Sequence, residues 1–173
     1  MIRHLTPADY KTMPWANGKG VTVEMMRVDR DGAVLWRLSR ASVVETGDFS
    51  LFPGIDRNLT VISGPGFDLV GEGLHLSAKP LVPVAFPGDV AIRAVEVAAP
   101  SDDFNVMTAR SLALPEVTVL KGAADLAQGG TLALFALSEA EISGRAVGRY
   151  DLIITDQAVS VRGRVIAVRL AGI

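Results

Sequence analysis

Two stretches of the chain place an arginine on the same face of a predicted strand as apolar side chains. In GIDRNLTVIS, residues 54–63, alternation puts Arg57 on the face of Leu59 and Val61. A buried unpaired charge is costly, so an arginine on a core face requires an anionic partner. That partner is either an internal carboxylate or the carboxylate of a ligand, which arginine can hold with two parallel hydrogen bonds. The simpler alternative is that Arg57 lies at the end of its strand and extends into water.

The stretch LWRLSRA, residues 35–41, has no purely apolar face. Arg37 shares one face with Ser39, and Arg40 shares the other with Leu38, so whichever face turns inward carries an arginine. This arrangement favours a barrel with a polar lining. A β-bulge, or an arginine at the rim of a sheet, would produce the same pattern.

A tryptophan stands beside a predicted turn in MPWANGKGVTVEM, residues 13–25. Asn17 and Gly18 are typical turn residues, and the residues that follow alternate as in a strand. We expect Trp15 to anchor the turn by burying its ring, as large aromatic residues do. The adjoining amide and backbone groups also suit the wall of a small-molecule pocket.

Few residues suit metal binding or nucleophilic catalysis. The chain has no cysteine and two histidines, His4 and His75, which lie far apart in the sequence. It contains neither a G-x-S-x-G nucleophile motif nor a glycine motif for dinucleotides or phosphate. We expect His75 on the surface of a strand, and Asp102 and Asp103 in a solvated turn unless one of them pairs with a strand arginine. Accordingly, no metal and no cofactor are expected.

The composition indicates a soluble globular protein. The 173 residues are 49% hydrophobic, enough for a sizeable core, and we expect residues 1–173 to form one compact domain. The formal net charge of −2 disfavours a nucleic-acid partner. No run of about 18 apolar residues and no signal-peptide segment appears, so we expect a cytoplasmic location and no membrane partner.

Short runs rich in β-branched residues, separated by turn residues, predict an all-β fold. The clearest hairpin joins VTVEMMRV to VLWRLSRASVV through the turn DRDG. Many short strands with frequent turns are typical of a sandwich or barrel. Two segments are candidates for helical structure. One is TPADYKTM, with Thr6 as N-cap and Pro7 at the first helical position, and the other is LKGAADLAQGG.

Four short motifs, in this order along the chain, resemble those of the HutD/Ves family of cupin-like proteins. They are WANGKGVT (15–22), WRLSRA (36–41), FSLFPGIDR (49–57) and DFNVM (103–107). Each motif alone is weak, but four in order and at the right separations are specific. Lys19 stands where the family pattern has the middle glycine of a G-G-G run, and of the two arginines that the family favours after N-V-M only Arg110 is present.

The resemblance implies a cupin-like β-barrel or jelly roll of the RmlC type. In that fold two antiparallel sheets pack together, and both halves of the chain contribute, as one barrel or as two fused half-barrels. The family lacks the metal-binding histidines of cupins, and its namesake members are associated with histidine utilisation. They are thought to act as non-catalytic modulators that sense a small acid such as urocanate or formylglutamate, and other members are described as stress-induced.

On this basis we expect a binding site for a small anionic metabolite. Arg57 and Arg37 would hold its carboxylates, with Arg110 as a third cation. Neutral hydrogen bonds and apolar wall would come from the remaining site residues, Asn17, Thr22, Ser39, Asn105, Phe49 and Met107.

Two other functions stay open at this point. A metal-free isomerase or hydrolase acting on a carboxylated metabolite would need a general base, for which Glu24, Asp103 and His75 are the candidates. In a structural or interaction protein, the arginines would instead be paired internally with carboxylates. In each case we expect a symmetric homodimer, because open sheet edges are commonly covered by a second copy.

Overall fold

A computed structural model describes residues 1–15, 18 and 20–172 of the chain. Within these residues the chain is almost entirely strand and turn, as predicted. The strands are β1 (Ile2–Leu5), β2 (Lys11–Pro14), β3 (Val21–Arg30), β4 (Ala33–Val43), β5 (Gly47–Asp48), β6 (Ile55–Ser63), β7 (Phe67–Gly71), β8 (Leu74–Ala78), β9 (Val84–Pro87), β10 (Ile92–Val95), β11 (Ser101–Ala109), β12 (Glu116–Leu126), β13 (Thr131–Ala136), β14 (Ala140–Ile142), β15 (Arg145–Val147), β16 (Leu152–Thr155) and β17 (Val159–Leu170).

The two segments proposed as helical behave differently. Pro7–Asp9 form a single turn of 3-10 helix with Thr6 as N-cap, and the Asp9 carboxylate accepts a hydrogen bond of 2.8 Å from the Thr6 N–H. The second prediction is wrong, because LKGAADLAQGG lies largely within β12. That strand pairs along its whole length with β17, and this long antiparallel ladder overrides the local helix propensity of its alanines. Within the described residues, no helix is long and apolar enough to cross a membrane.

The chain divides into two compact units. One comprises residues 1–10 and 113–172, and its seven strands form a sheet in which β17 pairs with β12, β13 and β14. Every pairing in this sheet is antiparallel. Alternate residues of β13 and β17, such as Leu134 and Val165, are fully buried in its hydrophobic core. The residues between them, such as Phe135 and Ile166, are fully buried as well, so both faces of these strands are covered.

The other unit comprises residues 11–112 and contains two sheets. A six-stranded sheet has the order β2-β3-β4-β11-β6-β9, and a four-stranded sheet has the order β5-β10-β7-β8. Apolar residues of both sheets form one core, with Leu59 and Val61 from the first sheet and Phe67 and Leu69 from the second. The two sheets thus pack as layers around a shared apolar interior.

The predicted hairpin between β3 and β4 is confirmed. Its two connecting residues, Asp31 and Gly32, have φ angles of 52° and 79°, the combination that a type I′ turn requires. The ladder shifts register between Glu24 and Met26, which indicates a β-bulge at Met25. This shift pairs Glu24 with Ser39 and so places it on the same face of the sheet as the side chain of that serine.

Gly66 and Gly73, at the two ends of β7, offer a matched test of close packing. Both have positive φ, but a Cβ on Gly66 would lie 2.1 Å from the Ala78 carbonyl oxygen, whereas one on Gly73 would meet nothing within 4 Å. We expect Gly73→Ala to cost about 1 kcal/mol of unfolding free energy from left-handed backbone strain alone. Gly66→Ala should cost at least about 3 kcal/mol, because backbone must also move. Urea unfolding measures both, and equal losses would contradict the packing argument.

Candidate functional site

A cavity of about 350 Å³ lies within residues 11–112. Most of its wall is the inner face of the six-stranded sheet, which contributes Thr22, Arg37, Ser39, Ala41, Val43, Arg57, Asp103, Asn105 and Met107. The rest comes from Trp15 and from the segment around β5, which contributes Asp48, Phe49, Ser50 and Phe52. The rigid sheet therefore positions the polar groups, and the connecting segments close the cavity around them.

Strand register explains why these side chains meet. In the ladder between β4 and β11, Asn105 is opposite Ser39 and Met107 is opposite Arg37. In the ladder between β11 and β6, Met107 is also opposite Arg57. Directly paired residues project to the same side of a sheet, so one row runs across three strands with an arginine at each end. The alternation expected for LWRLSRA and GIDRNLTVIS is thereby confirmed.

Arg57 is the most buried cation of the cavity, with only 8% of its surface exposed. Its guanidinium carbon lies 5.3 Å from the ring centre of Phe49 and 5.2 Å from those of Phe52 and Phe86. Such ring faces attract a cation. The alternative in which Arg57 extends into water from a strand end is therefore wrong, because three aromatic rings enclose its head group.

The hydrogen bonds of Arg57 are few and long. Its Nη2 donates to Asn105 Oδ1 at 3.3 Å and its Nη1 donates to the Ser50 carbonyl at 3.5 Å, while Nε is buried without a partner. Burial lowers the pKa of Arg57 to about 10, with the nearby Arg37 acting in the same direction and Asp103 opposing it. Arg57 therefore remains a cation at neutral pH, with donor capacity to spare.

Asp103 lies in the middle of the same wall and is 1% exposed. The prediction of a solvated turn is wrong, because β11 is a central strand with β4 on one side and β6 on the other. Asp103 Oδ1 accepts a hydrogen bond from Asn105 Nδ2, whereas Oδ2 is buried without a partner. Burial raises the pKa of the Asp103 carboxyl to about 7, against the opposing effects of the Asn105 hydrogen bond and the charge of Arg57.

Asn105 connects the two buried charges. Its amide oxygen accepts from Arg57 and its amide nitrogen donates to Asp103, so both ends of this side chain are used. No direct ion pair joins the arginine to the aspartate. Arg57 and Asp103 consequently keep unpartnered polar atoms, Nε and Oδ2, in the wall of one cavity.

The second arginine of the wall is already neutralised. Arg37 Nε donates to Glu24 Oε2 at 2.6 Å, and the two side chains are 12% and 16% exposed. This is the internal pairing considered from the sequence, and it holds for Arg37 but not for Arg57. Glu24, a candidate general base, is committed to this pair.

Trp15 forms part of the wall and is half-buried rather than fully buried. Its indole N–H donates to Thr22 Oγ1 at 2.9 Å, and a Cβ on Gly20 would lie 2.8 Å from the indole ring. The glycine therefore provides room for the ring. Asn17, predicted to line the site, and Lys19, which replaces a family glycine, lie outside the described residues.

All but one of the other predicted site residues line the cavity. Thr22, Ser39, Phe49, Asn105 and Met107 all line the cavity. Arg110 does not. It is 45% exposed and donates to Asp89 and Asp56 in a surface cluster, where these hydrogen bonds raise its pKa and lower that of Asp89 to about 2.

Two further residues, Trp36 and His75, lie outside the cavity wall. Trp36 is 2% exposed and belongs to the core. The His75 side chain is 67% exposed and contacts Asp68, so it is a surface strand residue. Among the described residues, no group of three His, Cys, Asp or Glu side chains is placed to hold a metal ion.

Sequence reasoning did not assign several wall residues to the site. Ser50 and Phe52 belong to FSLFPGIDR, so the motif that contained Phe49 and Arg57 also contained a signal for them. Asp48, Ala41 and Val43 carried no such signal. Asp48 also lines a second cavity of about 290 Å³, which adjoins the first at Trp15, Val43 and Phe49.

The fold and the cavity together define a cupin-like protein, an all-β chain with curled antiparallel sheets. The HutD family model matches residues 7–172, and the chain belongs to that family. The structure of HutD from Pseudomonas fluorescens SBW25 is 31% identical, with a TM-score of 0.91 over 99% of this chain and 98% of that one.

Two curated relatives agree with this assignment. A 21.2 kDa protein in the hutC 3′ region of Pseudomonas putida is 34% identical over 160 residues, which are 87% of this chain and 83% of that protein. Protein Ves of Cronobacter sakazakii is 34% identical over 116 residues, which are 64% of each chain. The resemblance found in the four motifs is thereby confirmed.

The burial of Asp103 makes a testable contribution to stability. The ordinary pKa of 3.8 applies in the unfolded chain, so between about pH 4 and 7 the folded state binds a proton that the unfolded state releases. The contribution of Asp103 to the free energy of unfolding therefore falls as pH rises through that window. Asp103→Asn should unfold with nearly the wild-type free energy at pH 4 but be more stable at pH 8, by at most about 4 kcal/mol.

Urea unfolding at several pH values measures this difference. Asp89→Asn is a matched control, because the hydrogen bond from Arg110 lowers the Asp89 pKa to about 2 rather than raising it, and Arg110 keeps its charge throughout this range. The control should gain no stability between pH 5 and 8. A difference between Asp103→Asn and wild type that stays constant from pH 4 to 8 would contradict the argument.

Proposed function

We propose that this protein is a non-catalytic binding protein that senses a small carboxylated metabolite in the cavity described above. The observation that carries the proposal is Arg57, a buried cation enclosed by three aromatic rings with its Nε unpartnered. A carboxylate is the partner that a guanidinium fork matches best. Phosphate can also bind a guanidinium through two hydrogen bonds, so it is included as a competing anion in the test below.

The remaining wall supports a small, partly apolar ligand. Ser39 and Asn105 supply neutral hydrogen-bonding groups beside Arg57, and Met107 and Phe49 supply apolar surface. A volume of about 350 Å³ is at the lower end of small-molecule pockets, so a metabolite of a few carbon atoms fits best. Because Glu24 already neutralises Arg37, we assign the primary anion contact to Arg57.

Histidine utilisation is the proposed context. The name of the Pseudomonas putida relative refers to the hutC region, and that of the Pseudomonas fluorescens structure refers to HutD. On this basis urocanate and formylglutamate-like acids are the first candidates for the ligand. Binding would modulate the pathway through a change in free ligand or through a protein partner, with a homodimer as the expected assembly.

A metal-free isomerase or hydrolase is the second candidate, and one observation favours it. Asp103 lies in the cavity with a pKa raised to about 7 by burial, as suits a general acid or base. Glu24 is paired and His75 lies outside the wall, so Asp103 is the remaining candidate of the three. Turnover of a carboxylated metabolite that is lost in Asp103→Asn, with binding retained, would establish this function instead.

Thermal unfolding with added acids tests the binding function. The panel contains urocanate, N-formyl-L-glutamate, formiminoglutamate, glutamate, histidine and phosphate. A ligand present at 100 times its dissociation constant adds about 2.7 kcal/mol of stability, which for a chain of this length raises the midpoint by about 5–11 °C. We expect that rise with at least one carboxylic acid.

Two arginine variants complete this test. Arg57→Met keeps an unbranched apolar side chain among the three rings but removes the cation, so it should fold and lose the rise. Arg110→Ala removes an arginine of the surface cluster and should keep it. A rise that survives in Arg57→Met, or no rise with any acid, would contradict the proposed function.

A further inference from the structure

Asp103 has a feature that carboxylate binding by Arg57 does not by itself explain. One of its oxygens, Oδ1, is held by the Asn105 amide, while the other, Oδ2, is buried in the cavity wall without any hydrogen-bond partner. Native proteins rarely leave a buried polar atom unsatisfied. Asp103 lines the cavity, so a ligand bound there is the partner that would satisfy this oxygen.

The charges around Asp103 limit what that ligand contact can be. Arg57 of β6 and Arg37 of β4 lie on the same wall, on the strands that flank β11, and Arg37 is already paired to Glu24 of β3. Asp48 of β5 is exposed at the wall, and the adjacent Asp102 accepts a hydrogen bond from Ser42. Among the described residues, Arg57 is thus the one cation of the wall without a hydrogen-bonded carboxylate.

A bound carboxylate and an ionised Asp103 would compete for that single cation. Two carboxylates that share a site cannot both ionise cheaply, so the proton affinity of one of them rises. The ligand would then face a bare oxygen, Asp103 Oδ2, that repels it. A neutral Asp103 removes the repulsion and supplies the missing donor, because a carboxylic acid carries one O–H.

We propose that Asp103 binds the ligand as a neutral acid, donating a hydrogen bond from Oδ2 to the carboxylate held by Arg57, so that above neutral pH each anion binds together with one proton. The inference rests on the proposed function and adds a chemical requirement to it. The proton comes from solvent and remains on Asp103, and no covalent bond of the ligand changes. The site is then selective for acceptor-only groups, since the acid O–H and the Arg57 Nε both donate.

Anion binding and proton uptake are coupled near neutral pH, because Asp103 ionises in that range. Burial already raises its pKa to about 7 in the free protein, and the charge of a bound anion raises the pKa further. At pH 5.5 the proton is present before binding. At pH 8 it must be taken up, so the anion should bind about tenfold more weakly for each pH unit above 7.

Calorimetric titration with N-formyl-L-glutamate tests the inference. This probe has no group that titrates between pH 5.5 and 8.5, so any proton taken up in that range is bound by the protein. Titrations in two buffers with different protonation enthalpies give the number of protons bound per ligand. We expect nearly one proton at pH 8, nearly none at pH 5.5, and a dissociation constant that rises with pH.

Two matched variants test whether Asp103 is the group that takes up the proton. Asp103→Asn keeps the shape of the side chain, an acceptor for Asn105 and a donor for the ligand, and it should lose both the proton uptake and the change of dissociation constant with pH. Asp68→Asn makes the same chemical change at the surface and should keep both. Infrared spectra add a direct readout, since a protonated carboxyl band should appear at pH 8 on addition of the probe and be absent in Asp103→Asn.

The outcomes separate the two claims. Tight binding by wild type without proton uptake at pH 8 would overturn the role of Asp103 and leave the proposed function intact. Uptake that persists in Asp103→Asn would overturn it as well, because another group would then carry the proton. If neither N-formyl-L-glutamate nor any other acid of the panel binds at any pH, the proposed function fails and this inference fails with it.

Discussion

The burial of one positive charge constrains most of the structure around the cavity. A guanidinium removed from water loses hydration that its surroundings must replace. For Arg57 the replacement comes from three aromatic rings, one amide oxygen and one backbone carbonyl. These groups come from β9, β11 and the segment before β6, and Arg57 itself is on β6, so the positions of all four are tied to a single side chain.

Strand β11 connects Arg57 to the rest of the sheet. It lies between β4 and β6, and its inward residues Asp103, Asn105 and Met107 separate the arginines of the two neighbouring strands. Each inward residue has a different chemical character, so the wall changes from acidic to amide to apolar along five residues of strand. A shift of register by one residue would exchange this face for Phe104 and Val106 and remove the site.

Much of the fold was readable from the sequence because short-range rules governed it. Alternation put Arg57 on the face of the core residues and required an inward arginine in LWRLSRA without deciding between Arg37 and Arg40. The Asp-Gly turn fixed the β3–β4 hairpin. Asp103 was misassigned because two adjacent aspartates are typical of a turn, and only the pairing of β11 with two neighbours reveals its burial. Arg110 was misassigned for a related reason, since Asp56 and Asp89 meet it only in the folded chain.

The chain has two tryptophans, and the structure places them in opposite environments. Trp36 is enclosed in the core, whereas Trp15 lines the cavity and is partly exposed. The emission of an indole depends on the polarity of its surroundings, so the two rings should emit at different wavelengths. Light emitted by Trp15 therefore provides a built-in optical signal of whether the cavity is filled, with Trp36 as an internal reference and no attached dye.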